Sequence, residues 1–165
     1  MEHNLLVDGE QMNDLSAGAP GSSPAHPIDN DTAWVKAQIA QYVATDGAEP
    51  VPYHGLPLLL LTTQGRKSGE WRRTCLIFDQ DGTRQIIVAS SGGAPKHPAW
   101  YLNLDANPQV RVQVKGQVFD ATARTASAEE KPALWQRMVS LFPDYAQYQI
   151  STDRDIPVVI IERTV

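Results

Sequence analysis

Leu58-Leu59-Leu60-Leu61-Thr62-Thr63-Gln64-Gly65-Arg66-Lys67-Ser68-Gly69-Glu70-Trp71-Arg72-Arg73 is the stretch on which the fold turns. An apolar run that stops at Gly65, restarts after Gly69 and gathers Arg66, Lys67, Arg72 and Arg73 reads as strand, tight loop, strand. Such a loop suits an anion. Gly65 and Gly69 tolerate positive φ, so backbone N–H groups can turn outward, and the four cations offer charge-assisted hydrogen bonds to phosphate or carboxylate. The plainer alternative is a solvated hairpin tip whose cations keep a turn soluble.

Downstream, strands are expected at about 57–63, 71–79 and 84–91, with Asp81-Gly82 as the turn between the second and third, an antiparallel meander. The loop Gly92 to Pro98 leads into a short helix, Ala99 to Ala106, which Asn107-Pro108 breaks. Val110, Val112 and Val114 alternate with Arg111, Gln113 and Lys115, as in a strand with one buried face, and Gly116 turns the chain back into Val118 to Arg124. Ser127-Ala128-Glu129-Glu130 is a capping box before a helix with Leu134, Trp135, Met138, Val139 and Leu141 on an apolar stripe. Pro143 starts a short helical segment containing Tyr145 and Tyr148, and Ile156 to Ile161 is apolar enough for a strand buried on both faces. Upstream, Asp31 is the expected N-cap of a helix that carries Val35, Ile39, Tyr42 and Val43 on one face and stops near Asp46-Gly47. Six mostly antiparallel strands with interspersed helices define a mainly β, α+β chain. A split β-barrel fits that pattern, although periodicity alone does not separate it from other α+β folds.

At 165 residues and 42% hydrophobic composition the chain fits one domain. Residues 1–30 are rich in Gly, Ser, Pro and Ala without periodicity, which reads as a flexible tail preceding a single domain over 31–165. That segment has five acids (Glu2, Asp8, Glu10, Asp14, Asp29) and no Lys or Arg, so it accounts for the whole net charge of −5. The balanced remainder argues against a nucleic-acid partner. A lone cysteine, Cys75, reads as a small buried apolar residue. His3, His26, His54 and His97 lack ligand spacing, so no metal is expected. Gly65-Arg66-Lys67-Ser68 fails as a nucleotide P-loop, because Arg66 stands where a glycine belongs and no helix follows. No glycine sits two residues before Ser90 or Ser91, so a hydrolase elbow is absent as well. The longest apolar stretch, Leu56 to Leu61, is far too short for a membrane span, and a cytoplasmic protein is the expectation.

Val88-Ala89-Ser90-Ser91-Gly92-Gly93-Ala94-Pro95-Lys96-His97-Pro98-Ala99-Trp100-Tyr101-Leu102-Asn103 adds the second half of the pattern. With the Gly-Arg-Lys-Ser-Gly hairpin before it, this segment resembles the deazaflavin-dependent nitroreductases, split-barrel enzymes that use coenzyme F420. The likeness continues through Asn107-Pro108-Gln109-Val110, Pro143 to Gln149 and Thr152 to Val159, so it covers roughly residues 55 to 165. It implies that the coenzyme's phosphate and polyglutamate tail lie on Arg66, Lys67, Ser68 and Arg72. It also implies that Thr74, Leu76 and Ile77 run beside the coenzyme, that Val88, Ala89, Ser90 and Ser91 hold its ring with backbone groups, and that Ala99, Trp100 and Asn103 flank the ribityl and phosphate region. Trp100 has an equally good reading as a core anchor for its helix. Where nitroreducing members carry tyrosines, this chain has Ile77, Phe142, Tyr145 and Tyr148. A lysine beside the ring in those members is Ser91 here.

The resemblance implies an oxidoreductase that passes a hydride from reduced F420 to a small flat acceptor such as a quinone, enone or nitroaromatic, with Tyr145 or Tyr148 as proton donor or stacking partner. Two alternatives stay open: a split barrel loaded with FMN or haem, and a coenzyme carrier without turnover. Monomer and homodimer are both compatible with the sequence. The likeness also leaves open a peripheral membrane association through the first helix and Trp34.

Overall fold

A computed structural model describes residues 18–48 and 55–164. In chain order its elements are β1 (Ile28–Asp29), α1 (Ala33–Thr45), β2 (Leu58–Gln64), β3 (Trp71–Ile77), β4 (Asp79–Asp81), β5 (Arg84–Val88), a 3₁₀ turn (Ser91–Gly93), α2 (Ala99–Ala106), β6 (Gln109–Val114), β7 (Gln117–Thr125), α3 (Lys131–Leu141), α4 (Asp144–Ile150) and β8 (Val158–Arg163). The strands form one open sheet in the order β1-β3-β2-β6-β7-β8-β5-β4. Every neighbouring pair is antiparallel except β1 with β3. The mainly β, α+β split-barrel expectation holds, with eight strands among the described residues where about six were expected.

The apolar strands divide their side chains between two cores, because successive residues of a strand point to opposite faces. Val158 and Ile160 of β8 and Leu58 and Leu60 of β2 join Val35, Ile39, Tyr42, Leu134, Met138, Phe142 and Tyr145 in one cluster. Val159, Ile161, Leu59 and Leu61 join Tyr101, Leu104, Val112 and Phe119 in the other. Ile156 to Ile161 is buried throughout, as its unbroken apolar run requires. Helix α2 ends where Asn107-Pro108 was expected to break it, and α1 ends at Asp46, which takes the left-handed φ of 52°.

Several expectations are corrected. Residues 18–30, read as part of a flexible tail, pack on the sheet edge: Trp71 N–H donates to Gly21 O and Asn30 N–H to Arg73 O. Arg73 also forks onto both Asp29 carboxylate oxygens at 2.6 and 3.1 Å. The tail reading for 1–17 lies outside the described residues. The N-cap of α1 is Thr32, whose N–H donates to Asn30 Oδ1, and not Asp31. Val43 faces solvent rather than the core. The second strand stops at Ile77, with Asp79–Asp81 forming a separate strand against β5, and the third stops at Val88, with Ala89 and Ser90 between it and the 3₁₀ turn. Cys75 is half-buried. Its thiol is pushed up to about 12 by burial and stays protonated.

The capping box forms as read: Glu130 N–H donates to Ser127 Oγ at 3.2 Å and Ser127 N–H to Glu130 Oε1 at 3.0 Å. The Arg124 guanidinium, and after it the Ser127 N–H, holds the Glu130 carboxyl down at about 2, below its ordinary 4.5. A carboxyl whose folded pKa is depressed contributes stability that is complete above the unfolded value and lost as pH falls through the folded one. Glu130→Gln is therefore expected to lower Tm at pH 7 by roughly 2 °C, a typical surface-cap effect. The gap should close between pH 4.5 and about 2. Thermal melts across that range check it, and a gap independent of pH would show that the carboxylate charge has no part in the cap.

Candidate functional site

Beyond Arg73, the side of β3 away from β2 has no strand partner among the described residues. Arg73 O accepts there from Asn30 N–H at 2.8 Å, so the alternation of an antiparallel ladder turns the peptide groups of Cys75 and Ile77 the same way. A cavity of about 700 Å³ runs along this open edge, lined by every β3 residue from Arg72 to Ile77. Its size falls within the usual range for cofactor sites. Val88, Ser90, Ser91 and Gly92 line it from the end of β5, Val35 and Gln38 from α1, Ala99, Trp100 and Asn103 from α2, and Phe142, Tyr145 and Tyr148 from α4 and the turn before it. Free strand N–H and C=O groups can pair with the amide-like edge of a flat heterocycle.

The loop after β5 is held from behind by Arg154. Its Nε donates to Ala94 O at 2.8 Å and its terminal nitrogens to Ala89 O at 3.1 Å and Ser90 O at 2.6 Å. His97 Nδ1 lies 3.0 Å from the same guanidinium. Burial, and after it the Arg154 charge, lowers the His97 pKa, so a neutral ring accepting at Nδ1 fits this contact. The small residues of the loop have a packing reason. A Cβ on Gly93 (φ 80°) would lie 2.3 Å from Ser151 Oγ and 2.8 Å from Tyr148 O, so only glycine lets the loop meet α4 this closely. Phe142, Tyr145 and Tyr148 form an aromatic cluster with ring centroids 5.0 to 6.3 Å apart.

At the basic hairpin, Gly65 N–H donates to Glu70 O, Gly69 N–H to Gly65 O and Glu70 N–H to Ser68 Oγ, so Ser68 and both glycine N–H groups serve the turn. Positive φ is confined to Gly69; at Gly65 the requirement is space, since a Cβ would lie 2.6 Å from Ser68 Oγ. Arg72 pairs with Glu70 at 2.9 Å. Arg66 and Lys67 are exposed, and among the described residues they make no ion pair. Arg66 N–H donates to Asn103 Oδ1 at 3.1 Å, and Asn103 Nδ2 donates to Thr63 Oγ1 at 3.2 Å. Thr63 and Asn103 both line the cavity, so the free cations stand next to one end of it.

The structure thus brings Arg72, Thr74, Leu76, Ile77, Val88, Ser90, Ser91, Ala99, Trp100, Asn103, Tyr145 and Tyr148 together around one cavity. It places Arg66, Lys67 and Ser68 outside the lining, on the hairpin tip, and buries Ala89 behind the wall with its carbonyl bonded to Arg154. Sequence reasoning missed Gln38, Cys75, Arg154 and the segment from Ile28 to Thr32. Arg154 carried one readable signal, an arginine between two aspartates close to an all-apolar strand. Among the described residues no group of His, Cys, Asp or Glu could hold a metal ion.

The comparisons with known proteins agree with this geometry. A family model described as F420H(2)-dependent quinone reductase matches residues 34–163. The F420H(2)-dependent quinone reductase Rv1261c of Mycobacterium tuberculosis (strain ATCC 25618 / H37Rv) is 41% identical over 110 residues, 65% of this chain and 74% of that protein. A solved F420-H2 dependent reductase, FDR-A, superposes with TM-score 0.60 and 47% identity over 64% of this chain and 94% of that one. A further structure, described as a domain-swapped dimer, has TM-score 0.62 and 42% identity and covers 81% of this chain and all of the other.

Proposed function

The chain belongs to the F420H(2)-dependent quinone reductase family, and on that premise we propose that it passes a hydride from reduced F420 to a quinone within the cavity along β3. The observation that carries the reading is a hairpin whose Arg66 and Lys67 make no ion pair among the described residues and whose Arg66 N–H is bonded to Asn103, in the wall of a cavity that also includes an aromatic cluster. A coenzyme with a multiply anionic tail and a flat ring needs both cations and an aromatic wall along one groove.

The residues fit the coenzyme. Arg66, Lys67 and Arg72 would hold the phosphate and tail carboxylates, with Ser68 shaping their hairpin. Thr74, Leu76 and Ile77 would lie along the ring, and Val88, Ser90 and Ser91 would close on it, Ala89 being fixed from behind. Ala99, Trp100 and Asn103 would flank the linker between ring and tail. When bound, the reduced coenzyme supplies the hydride. The chain's own part is to orient the acceptor against the ring, to keep bulk water out with Phe142 and Ile77, and to deliver a proton to the acceptor oxygen from the hydroxyl of Tyr145 or Tyr148. Cys75, held protonated on the same wall, is poorly nucleophilic towards an electrophilic quinone.

Quinones are favoured over nitroaromatics because Ile77 and Phe142 replace hydroxyl-bearing rings, which leaves fewer donors for a nitro group. Assembly as a homodimer belongs to the same reading, supported by the similar chain described as a domain-swapped dimer; light scattering after gel filtration measures it. Among the described residues no helix is long and apolar enough to cross a membrane. We assign Trp34 to the cavity, whose wall it joins, and not to a lipid surface.

Mixing the protein with reduced F420 and then menadione tests the function. Coenzyme re-oxidation that starts only when menadione is added, and at a rate proportional to protein, is the expected result. Tight binding of F420 with no menadione-dependent oxidation would replace the enzyme by a carrier. FMN retained in place of F420 would remove the coenzyme assignment.

A further inference from the structure

The buried stripe of α1 is Val35, Gln38, Ile39 and Tyr42, the i, i+3, i+4, i+7 spacing of a core-facing helix. Three of these are what a core asks for. Gln38 is not: it is only 9% exposed as a residue, yet its amide makes no bond to the described protein and keeps its polar atoms accessible. Among the described residues its side chain makes no hydrogen bond, and it lines the cavity. Three polar neighbours that line the same cavity are already engaged. Thr74 Oγ1 accepts from Asn30 Nδ2 at 3.3 Å, Arg73 pairs with Asp29, and Asn103 bridges Thr63 and Arg66. A nine-tenths buried glutamine whose amide opens to a cavity, in the middle of an apolar stripe, is placed for a ligand.

We propose that Gln38 is the residue that recognises the acceptor's carbonyl oxygen, donating a hydrogen bond to it from Nε2. The inference rests on the reductase reading of the cavity. Val35, one turn before Gln38, packs in the same cluster as Ile77, Val88, Phe142 and Tyr145. Gln38 therefore sits at the aromatic end, away from the hairpin that faces the anionic tail. The chemistry of the primary amide suits both sides of the reaction. Its NH2 donates to a quinone carbonyl, and its Oε1 accepts from the hydroxyl of the hydroquinone. A neutral amide also tolerates an uncharged acceptor at a place where a cation would have to be desolvated. The acceptor class this selects is a flat ring carrying an oxygen at the edge turned towards α1.

The test compares wild type, Gln38→Leu and Gln38→Glu by three measurements: the affinity of menadione for protein loaded with oxidised F420, read by tryptophan fluorescence; the affinity of F420; and Tm. Gln38→Leu should weaken menadione by roughly 3- to 10-fold, the loss of one hydrogen bond. It should leave F420 within about twofold and keep Tm equal or raise it, because leucine completes the apolar stripe. Gln38→Glu keeps the size and the acceptor oxygen but removes the donor, and should lose at least as much menadione affinity. Unchanged menadione binding in both variants would overturn the proposal. So would a loss confined to F420, which would give Gln38 to the coenzyme, or a fall in Tm with both affinities, which would make it structural. If wild type itself bound F420 but neither bound nor reduced menadione, the reductase reading and this inference would fall together. A wild type that turns over while Gln38→Leu binds menadione normally removes Gln38 alone.

Discussion

Arg154→Met should lose about 2 to 4 kcal/mol of folding stability and at least tenfold in F420 affinity, the largest single-residue effect expected outside the two cores. The guanidinium donates to three main-chain carbonyls, those of Ala89, Ser90 and Ala94, and meets His97. Methionine fills most of the volume and supplies no donor. Ser90 O keeps its bond from Gly93 N–H at 2.9 Å, so the loss falls on the carbonyls of Ala89 and Ala94. Each costs about 1 to 3 kcal/mol when buried, and the total is smaller than the sum because the loop can move towards water. That movement is the functional cost, since Ser90, Ser91 and Gly92 line the cavity and would no longer be held at the β3 edge. Burial already lowers the Arg154 pKa, and among the described residues no carboxylate pairs with it, so the loop carbonyls are the acceptors that face its charge. Arg154→Lys should recover only part of the loss, because one ammonium cannot reach carbonyls spread over six residues of loop as a planar fork does. Urea unfolding and F420 titration of the three proteins read both effects; stability and affinity equal to wild type in Arg154→Met would show that the loop holds its own shape.

Why Arg154 escaped the sequence reading, while its neighbours did not, follows from what a sequence pattern can carry. Strands β2, β6 and β8 and helix α2 were legible because their signals are local. Val110, Val112 and Val114 alternate, Ile156 to Ile161 has no polar residue, and Pro98 and Pro108 bracket Ala99–Ala106. Strand β1 has two residues in a segment full of Pro, Gly and Ser, and what fixes it is remote: Arg73 on Asp29 and the main-chain bonds to Trp71 and Arg73. Such partners leave no periodicity. Arg154, between Asp153 and Asp155, has the look of a solvated charge run, and only the three-dimensional arrangement shows that its acceptors lie about 60 residues upstream. Gln38 was hidden for the opposite reason. The stripe Val35, Ile39 and Tyr42 identifies the helix so well without it that a glutamine inside the stripe attracts no notice.

The basic hairpin distinguishes an anion site from a solubilising turn more sharply than any other part of the molecule, and Arg66→Ala with Lys67→Ala is expected to weaken F420 binding by roughly 10- to 1,000-fold. That range follows from about 1.5 to 3 kcal/mol per charged hydrogen bond, with incomplete additivity between neighbours. Stability should hardly move, because neither side chain is buried and neither has an ion pair among the described residues. The turn itself is closed by Gly65, Ser68, Gly69 and Glu70, whose bonds the substitutions leave in place. Arg66 keeps its one structural contact too, since the bond to Asn103 uses its main-chain N–H. Arg72 is the control cation: with Glu70 2.9 Å away, its loss should cost less affinity than loss of the unpaired two. The loss should be larger for the polyglutamylated coenzyme than for a form lacking tail and phosphate, because only the former presents the anions that Arg66 and Lys67 would hold. Raised salt should mimic the double substitution in part, as exposed charges are screened over about 10 Å at 0.1 M ionic strength. Fluorescence titration of both coenzyme forms against both proteins gives four affinities and one coupling energy. A coupling near zero, with the full-length coenzyme bound equally by both proteins, would return the hairpin to a solvated turn and move the anionic tail elsewhere along the cavity.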